Sequence, residues 1–204
     1  MPAGGYTAVV PKSSANRLAW VLATLIVAGL WQSGHGIYLH GKAWLAQHLL
    51  RLAWSRSRAG GEPVAPWPGA DTYPLARLLV PRLGIDQIVL AGASGRTMAF
   101  GPALVDNSAP PGGTGVIVVS GHRDTHFRFL RDLHKGDELI LGRGTRGPLL
   151  RFRVIGAEHF DSRRHQLAAS PAQRGLWLVT CYPFAALAPG GPWRYVVYAV
   201  PAVE

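Results

Sequence analysis

From Asp71 onward the chain is a succession of short apolar runs, rich in Val, Ile, Leu and aromatic residues, each bounded by Gly, Pro, Asn or Asp. Runs of this length and composition predict β-strands. A short helix at residues 126–133 is the main expected helical insertion. Eight short strands within about 130 residues favour an all-β fold, a closed or nearly closed barrel. The candidate strands are residues 75–81, 85–91, 102–105, 115–121, 137–141, 149–160, 175–181 and 193–200.

A continuous apolar stretch precedes this strand-rich region and is a candidate membrane-spanning segment. Residues 18–31 are apolar apart from Thr24, and no Lys, Arg, Asp or Glu stands between Arg17 and Lys42. The run itself is shorter than the roughly 20 residues that span hydrocarbon, but extension to residue 40 reaches that length with polar groups at the interface. A cleaved signal peptide has a similar pattern, yet no small-residue cleavage site follows the core. We therefore expect an uncleaved transmembrane helix.

Residues 41–70 connect the apolar stretch to the strand-rich region. Trp44, Leu49, Leu52 and Trp54 recur at helical spacings with arginines interleaved, which predicts an amphipathic helix that lies on the membrane or packs on the domain that follows. The Gly- and Pro-rich residues 60–69 are expected to be a linker. The expected organisation is a cytoplasmic segment 1–17, a transmembrane anchor 18–40, a helix and linker 41–70, and a folded domain 71–204 outside the cytoplasm.

Charge and cysteine content narrow the function classes. The net charge is +10, and half of it lies in residues 1–70, where six basic side chains face one acidic residue. Because this charge flanks the most apolar part of the chain, a membrane surface is favoured over nucleic acid as the partner. Cys181 is the only cysteine, which excludes an intrachain disulfide and a zinc site built from several thiolates.

Two motif matches do not support a cofactor or a metal. Gly142, Gly144 and Gly147 have the spacing of a dinucleotide-binding loop, but Pro148 and a strand-like run follow where that loop requires a helix, so we expect a hairpin turn. His122 and His126 are four residues apart, but the Glu of a zinc-protease helix is missing between them. The sequence therefore predicts no cofactor and no metal site.

The remaining candidate site consists of three residues that each lie at or near the edge of a candidate strand, namely Cys181, His122 and Arg194. Cleavage of an amide needs a thiolate, a proton donor for the leaving amine, and a cation or donor for the oxyanion. These three residue types can supply those roles. Taken singly, each also has a structural explanation: a core cysteine, a surface histidine and a solvated arginine.

The motifs around these residues resemble the sortases, membrane-anchored cysteine transpeptidases of bacterial envelopes. The resemblance covers about residues 75–204 in order, and the Cys-Tyr-Pro-Phe sequence is most like the Gram-negative or class D sortases. It is carried by LLVPRLGI at 78–85, PGGTG at 111–115, SGHRDTHF at 120–127, LVTCYPF at 178–184, and the arginine that follows at 194.

The resemblance implies an eight-stranded β-barrel with Cys181 as nucleophile, His122 as general acid and base, and Arg194 as the group that holds the oxyanion or the substrate. It also implies that the substrate is a secreted protein with a C-terminal LPxTG-like sorting signal, cleaved through a thioacyl enzyme and joined to an amine of the envelope. The catalytic domain is then expected in the periplasm or another extracytoplasmic space. Two alternatives stay open: a sortase-like peptidase that only hydrolyses, and a non-catalytic membrane-anchored binding module.

Overall fold

The computed structural model describes residues 12–60, 62–143, 147–170, 172–186 and 190–202. They form helix α1 (Lys12–Gly60) and a strand-rich domain. The strands of that domain are β1 (Pro74–Val80), β2 (Ile85–Leu90), β3 (Ala103–Leu104), β4 (Val116–Ser120), β5 (Glu138–Arg143), β6 (Leu149–Asp161), β7 (Gly175–Cys181) and β8 (Trp193–Pro201). The helical segments between them are α2 (Gly95–Met98) and the 3-10 turns η1 (Pro81–Leu83) and η2 (Arg128–Asp132).

The eight strands close into a barrel in the order β1-β2-β3-β4-β7-β8-β6-β5. β2 pairs with β3 and β4 pairs with β7 in parallel, whereas the other neighbours are antiparallel. The predicted all-β barrel is confirmed, and every candidate strand is present within one or two residues of its expected bounds. The expected helix at 126–133 is the shorter 3-10 turn η2, while η1 and α2 were not anticipated.

Alternation of the side chains explains which strand faces fill the barrel. β1 alternates strictly between buried and half-buried residues, so one face enters the core. β7 is instead buried along its whole length except at Cys181, as expected for a strand covered on both faces. Its inner residues Leu176 and Leu178 join the main core, whereas Trp177 and Val179 join a second cluster on the outer face.

Two glycines are required by close packing. A Cβ on Gly175, the first residue of β7, would lie 2.5 Å from the carbonyl oxygen of Ala199 on β8. A Cβ on Gly121, just after β4, would lie 2.9 Å from the ring of Phe127. Phe127 is completely buried and is held by a hydrogen bond from its N–H to the carbonyl oxygen of His122 at 2.9 Å. The bare backbone at 121 thus lets Phe127 fill the barrel interior beside the histidine.

The chain divides into two compact units, residues 1–45 and 46–204. In the larger unit, Leu50 and Trp54 of α1 pack with Ile88, Leu90 and Ala103 of the barrel. Of the two interpretations of the amphipathic segment, packing on the domain therefore holds for these residues. The hairpin between β5 and β6 is also present, with Gly142 paired to Leu149, although Gly144 lies outside the described residues.

In the smaller unit, the described part of α1 is helical and its large apolar side chains at 20–22, 25–27, 30 and 31 are each more than half exposed. Within the described residues, no helix combines the length and the apolar character needed to span a membrane. Most of the predicted cytoplasmic segment, residues 1–11, lies outside the described residues.

Candidate active site

Strand β7 delivers Cys181 to the barrel edge. The apolar run before it is buried on every residue, whereas Cys181 itself is half-buried and carries a free thiol. Side chains alternate along a strand, so Cys181 points to the outer face with Trp177 and Val179. The nucleophile predicted from sequence therefore lies at the end of a rigid strand, on the face turned away from the core.

The segment that carries His122 follows the neighbouring strand, β4. β4 and β7 are parallel, with Ser120 opposite Val179, and the pairing continues through a hydrogen bond from Gly121 N–H to Val179 O at 3.1 Å. His122 directly follows this bonded glycine, and Cys181 stands two residues after Val179. The buried Thr180 hydroxyl donates to Gly121 O at 2.7 Å and ties the two strand ends together.

Arg194 completes this arrangement from the other side of β7. It is the antiparallel partner of Cys181 in the β7–β8 pair. Residues directly opposite each other project to the same face, with Cβ atoms about 4.5–5.5 Å apart. Cys181 and Arg194 therefore lie opposite each other at the ends of β7 and β8, and the segment that carries His122 borders β7 on its other side. We call these three residues the site row.

The Arg194 guanidinium is oriented by its own loop. Its Nη1 donates to Gly191 O at 2.7 Å and to Trp193 O at 3.0 Å. Within the described part of the chain, these protein acceptors engage Nη1 alone, so Nε and Nη2 can donate to an oxygen of a bound substrate. An arginine presents a planar fork of donors, which suits recognition of a developing oxyanion or a peptide carbonyl.

A groove of about 820 Å³ on the outer face of the barrel begins at Arg194. Ser120 and Val118 of β4 and Val179 and Trp177 of β7 line it, between the loop at 105–109 and the loop at 162–170. Cys181 and His122 do not line this groove themselves. Because Val179 stands two residues before Cys181 on the same face of β7, the groove leads along this strand toward the site row.

The loop that borders the groove is fixed at its start by Asp161. The carboxylate accepts hydrogen bonds from Arg163 through the guanidinium at 2.8 and 3.1 Å and through the backbone N–H at 2.9 Å. These side-chain and backbone hydrogen bonds lower the pKa of Asp161 to about 2. Ser162 then donates to Pro192 O through its N–H at 2.9 Å and its hydroxyl at 2.7 Å, which links this loop to the loop before Arg194.

Sequence reasoning assigned no role to Arg123. The side chain is 3% exposed and donates to Pro183 O at 2.8 Å and to Ala186 O at 3.0 Å. Its hydrogen bond to Asp124 raises its pKa, burial opposes this rise, and the charges of Asp124 and Cys181 add to it. No spacing signal could have revealed these contacts, because the carbonyls lie about sixty residues away in the chain.

Aromatic packing fixes the residue that follows the cysteine. The Tyr182 ring stacks on His159 with centroids 4.7 Å apart and lies 6.0 Å from the Tyr195 ring. Phe184 meets Tyr195 edge-on at 5.1 Å. The chain leaving Cys181 is therefore held by rings on one side and by the Arg123 guanidinium on another.

His126, the second histidine of the motif, is half-buried. Burial is the main cause that lowers the pKa of His126, and the charge of His122 lowers this pKa further. Among the described residues, no group of three or more His, Cys, Asp or Glu side chains could hold a metal ion.

A sequence model of the sortase domain matches residues 78–202. The chain belongs to the sortase family. The family consists of cysteine transpeptidases, and the barrel and cysteine of this sortase agree with that class.

Individual relatives support the same assignment. Sortase D of Bacillus subtilis (strain 168) is 29% identical over 124 residues, which cover 59% of this chain and 60% of that protein. The structure of a sortase D5 transpeptidase of Clostridium perfringens aligns with a TM-score of 0.54 at 21% identity, over 64% of this chain and 79% of that one. Sortase A of Corynebacterium diphtheriae aligns with a TM-score of 0.56 at 20% identity, over 78% and 85%. These structures share the fold of this sortase.

Proposed function

We propose that this sortase cleaves an LPxTG-like sorting motif of a secreted protein and joins the acyl fragment to an amine. Cys181 is the nucleophile, His122 the general acid and base, and Arg194 the group that stabilises the oxyanion. The observation that carries this proposal is the site row, in which Cys181 lies opposite Arg194 on adjacent strands and the His122 segment follows the strand on the other side of β7, near a groove.

In the first half-reaction, the Cys181 thiolate attacks the carbonyl carbon of the threonine and forms a tetrahedral oxyanion. Arg194 donates to this oxyanion through Nε or Nη2. When the C–N bond breaks, His122 gives its proton to the leaving amine and a thioester remains on Cys181. In the second half-reaction, His122 takes a proton from the incoming amine, which attacks the thioester and expels the thiolate.

The groove suits the residues before the cleaved bond. An extended chain rises about 3.3 Å per residue, so the four residues of an LPxT segment span about 13 Å. The groove floor offers Val118 and Trp177 to the apolar end of such a segment, and the pair Val179 and Ser120 nearer the reacting end. A leucine and a proline gain most from this apolar floor.

We also propose that residues 18–40 hold the chain at the membrane, with residues 1–17 cytoplasmic and the barrel on the extracytoplasmic side. The exposed apolar side chains between Trp20 and Trp31 support this, since an apolar surface of this extent marks a membrane or protein contact. The test is fractionation of cells that express the full chain or residues 41–204. The full chain should resist carbonate extraction, whereas release of the full chain by carbonate would refute the anchor.

The activity is tested with an LPxTG-containing peptide and the purified chain, in the presence and absence of an added amine such as triglycine. We expect an amide adduct with the amine, and a thioacyl intermediate on Cys181 that ends in threonine by mass spectrometry. The Cys181→Ala variant should bind the peptide and form neither species. Turnover in Cys181→Ala would refute the nucleophile, acid as the sole product would indicate a hydrolase, and binding without turnover by the wild type would indicate a binding module.

A further inference from the structure

Arg123 is the one arginine whose side chain is buried among the described residues. Burying a guanidinium is costly unless its N–H groups find acceptors. Here Nε and Nη2 donate to the Asp124 carboxylate at 2.8 and 3.1 Å, while Nη1 and Nη2 donate to the Pro183 and Ala186 carbonyls. The Asp124 side chain is 63% exposed, so its carboxylate is the acceptor on the solvent side of the guanidinium. An apolar side chain of similar volume would avoid this desolvation cost, and the contacts must therefore supply something more specific than packing.

The contacts of Arg123 join the two segments that carry the reacting side chains. Arg123 directly follows His122, and its carbonyl acceptors lie two and five residues after Cys181. On the preceding side of both residues, the Thr180 hydroxyl already donates to Gly121 O. His122 and Cys181 are thus each flanked before and after by cross-links between the same two segments.

We propose that Arg123 is a positioning residue for acyl transfer: its fork holds residues 183–186 against the histidine segment and so sets the geometry between His122 and Cys181. This inference rests on the proposed function, because it takes those two residues as the reacting pair. The expected loss of rate follows from the sensitivity of catalysis to the placement of reacting groups, since a shift of about 1 Å can cost about 100-fold in rate.

Lysine at position 123 separates geometry from charge. A lysine keeps the positive charge but cannot present two diverging donors in one plane to two carbonyls and a carboxylate. The charge of Cys181 contributes to the raised pKa of Arg123, after the hydrogen bond to Asp124, so the guanidinium is within electrostatic reach of the sulfur. If charge alone mattered, lysine would suffice.

The first measurement compares steady-state kinetics of the full chain with its Arg123→Lys, Arg123→Met and Arg131→Met variants. Arg131 is a matched control, because its side chain is 45% exposed and forms an ion pair with Asp132 at 3.6 Å. We expect kcat/KM of Arg123→Lys to fall about 10- to 100-fold, mostly through kcat, as misplacement of reacting groups predicts. Arg131→Met should stay within about twofold, as expected of a surface site.

The second measurement needs no substrate. Cys181 is the only cysteine, so alkylation by iodoacetamide as a function of pH reports on its environment alone. We expect the profile of Arg123→Lys to differ from that of the wild type, and Arg131→Met to superimpose on it. Thermal unfolding of each variant identifies a temperature at which the compared variants are folded. If Arg123→Met does not fold, the comparison rests on Arg123→Lys.

Wild-type kcat and a wild-type alkylation profile in Arg123→Lys would overturn the proposal. A loss of activity that merely follows the loss of folded protein would overturn it as well. If the wild type turns over no peptide, the proposed function fails by itself, and the alkylation profiles still decide whether Arg123 governs the surroundings of Cys181.

Discussion

Gly121→Ala is the substitution whose effect can be worked out most fully from the structure. The new Cβ would lie 2.9 Å from Cγ of Phe127 and 3.1 Å from both Cδ atoms. Real Cβ atoms essentially never approach within 3.0 Å and ordinarily lie 3.4–4 Å from their neighbours, so the ring or the backbone must move by up to about half an ångström. Phe127 is completely buried, and close-packed interiors yield poorly to such a shift.

We expect this overpacking to lower the free energy of unfolding by about 1–3 kcal/mol. In a domain of this size each kcal/mol lowers Tm by about 2–4 °C. Because Gly121 accepts the Thr180 hydroxyl and precedes His122, the same shift displaces the histidine from Cys181. We therefore expect kcat/KM to fall by more than the loss of folded protein explains.

The assay is urea denaturation followed by intrinsic fluorescence, with Gly156→Ala as the matched control. Gly156 lies in β6, and a Cβ there would meet nothing within 4 Å. This control should change the free energy of unfolding by no more than about 0.5 kcal/mol in either direction. Phe127→Leu combined with Gly121→Ala should cost less than the sum of the single changes, because the smaller side chain relieves the clash.

Equal stability of Gly121→Ala and Gly156→Ala would refute this reasoning. Additive costs in the double variant would also contradict it, since they would mean that the Cβ does not press on Phe127.

Three further substitutions test other parts of the structure. Asp161→Asn should lower the free energy of unfolding at neutral pH and flatten its dependence on pH. The pKa of Asp161 is about 2 in the folded protein, below the unfolded value of about 3.9, so the stabilisation by this carboxylate is present above about pH 4 and is lost as the pH falls through about 2. Unfolding measured as a function of pH in the acid range will test this. Leu50→Ala should cost about 2–5 kcal/mol in urea denaturation because Leu50 is completely buried, whereas Leu52→Ala, 38% exposed on the same helix, should cost about 1 kcal/mol or less. Val118→Arg places a charge on the apolar groove floor and should raise KM for the sorting peptide with little change in Tm; an unchanged KM would place the substrate elsewhere.

The strand pattern was readable because a β-strand is a local feature of composition and turn residues. β7 was predicted at its observed bounds, since a continuous apolar run ends at Cys181 and Gly175 begins it. The turn η2 was predicted too long, because residues 126–133 have a helix-like pattern but Phe127 and Leu130 are drawn into the barrel core. Short elements such as α2, with one capping serine and a single turn, leave little signal in the sequence.

The all-β class, the single thiol and the three candidate side chains near strand ends were predictable from the chain alone, because they depend on local composition and residue order. That β4, β7 and β8 are neighbours, and that Cys181 lies opposite Arg194 with the His122 segment on the other side of β7, became visible in the tertiary structure alone. Only it showed that Arg123 is buried against carbonyls distant in the chain. The physical reason is that strand pairing and the partners of a buried charge are set by contacts between remote segments, which no local pattern encodes.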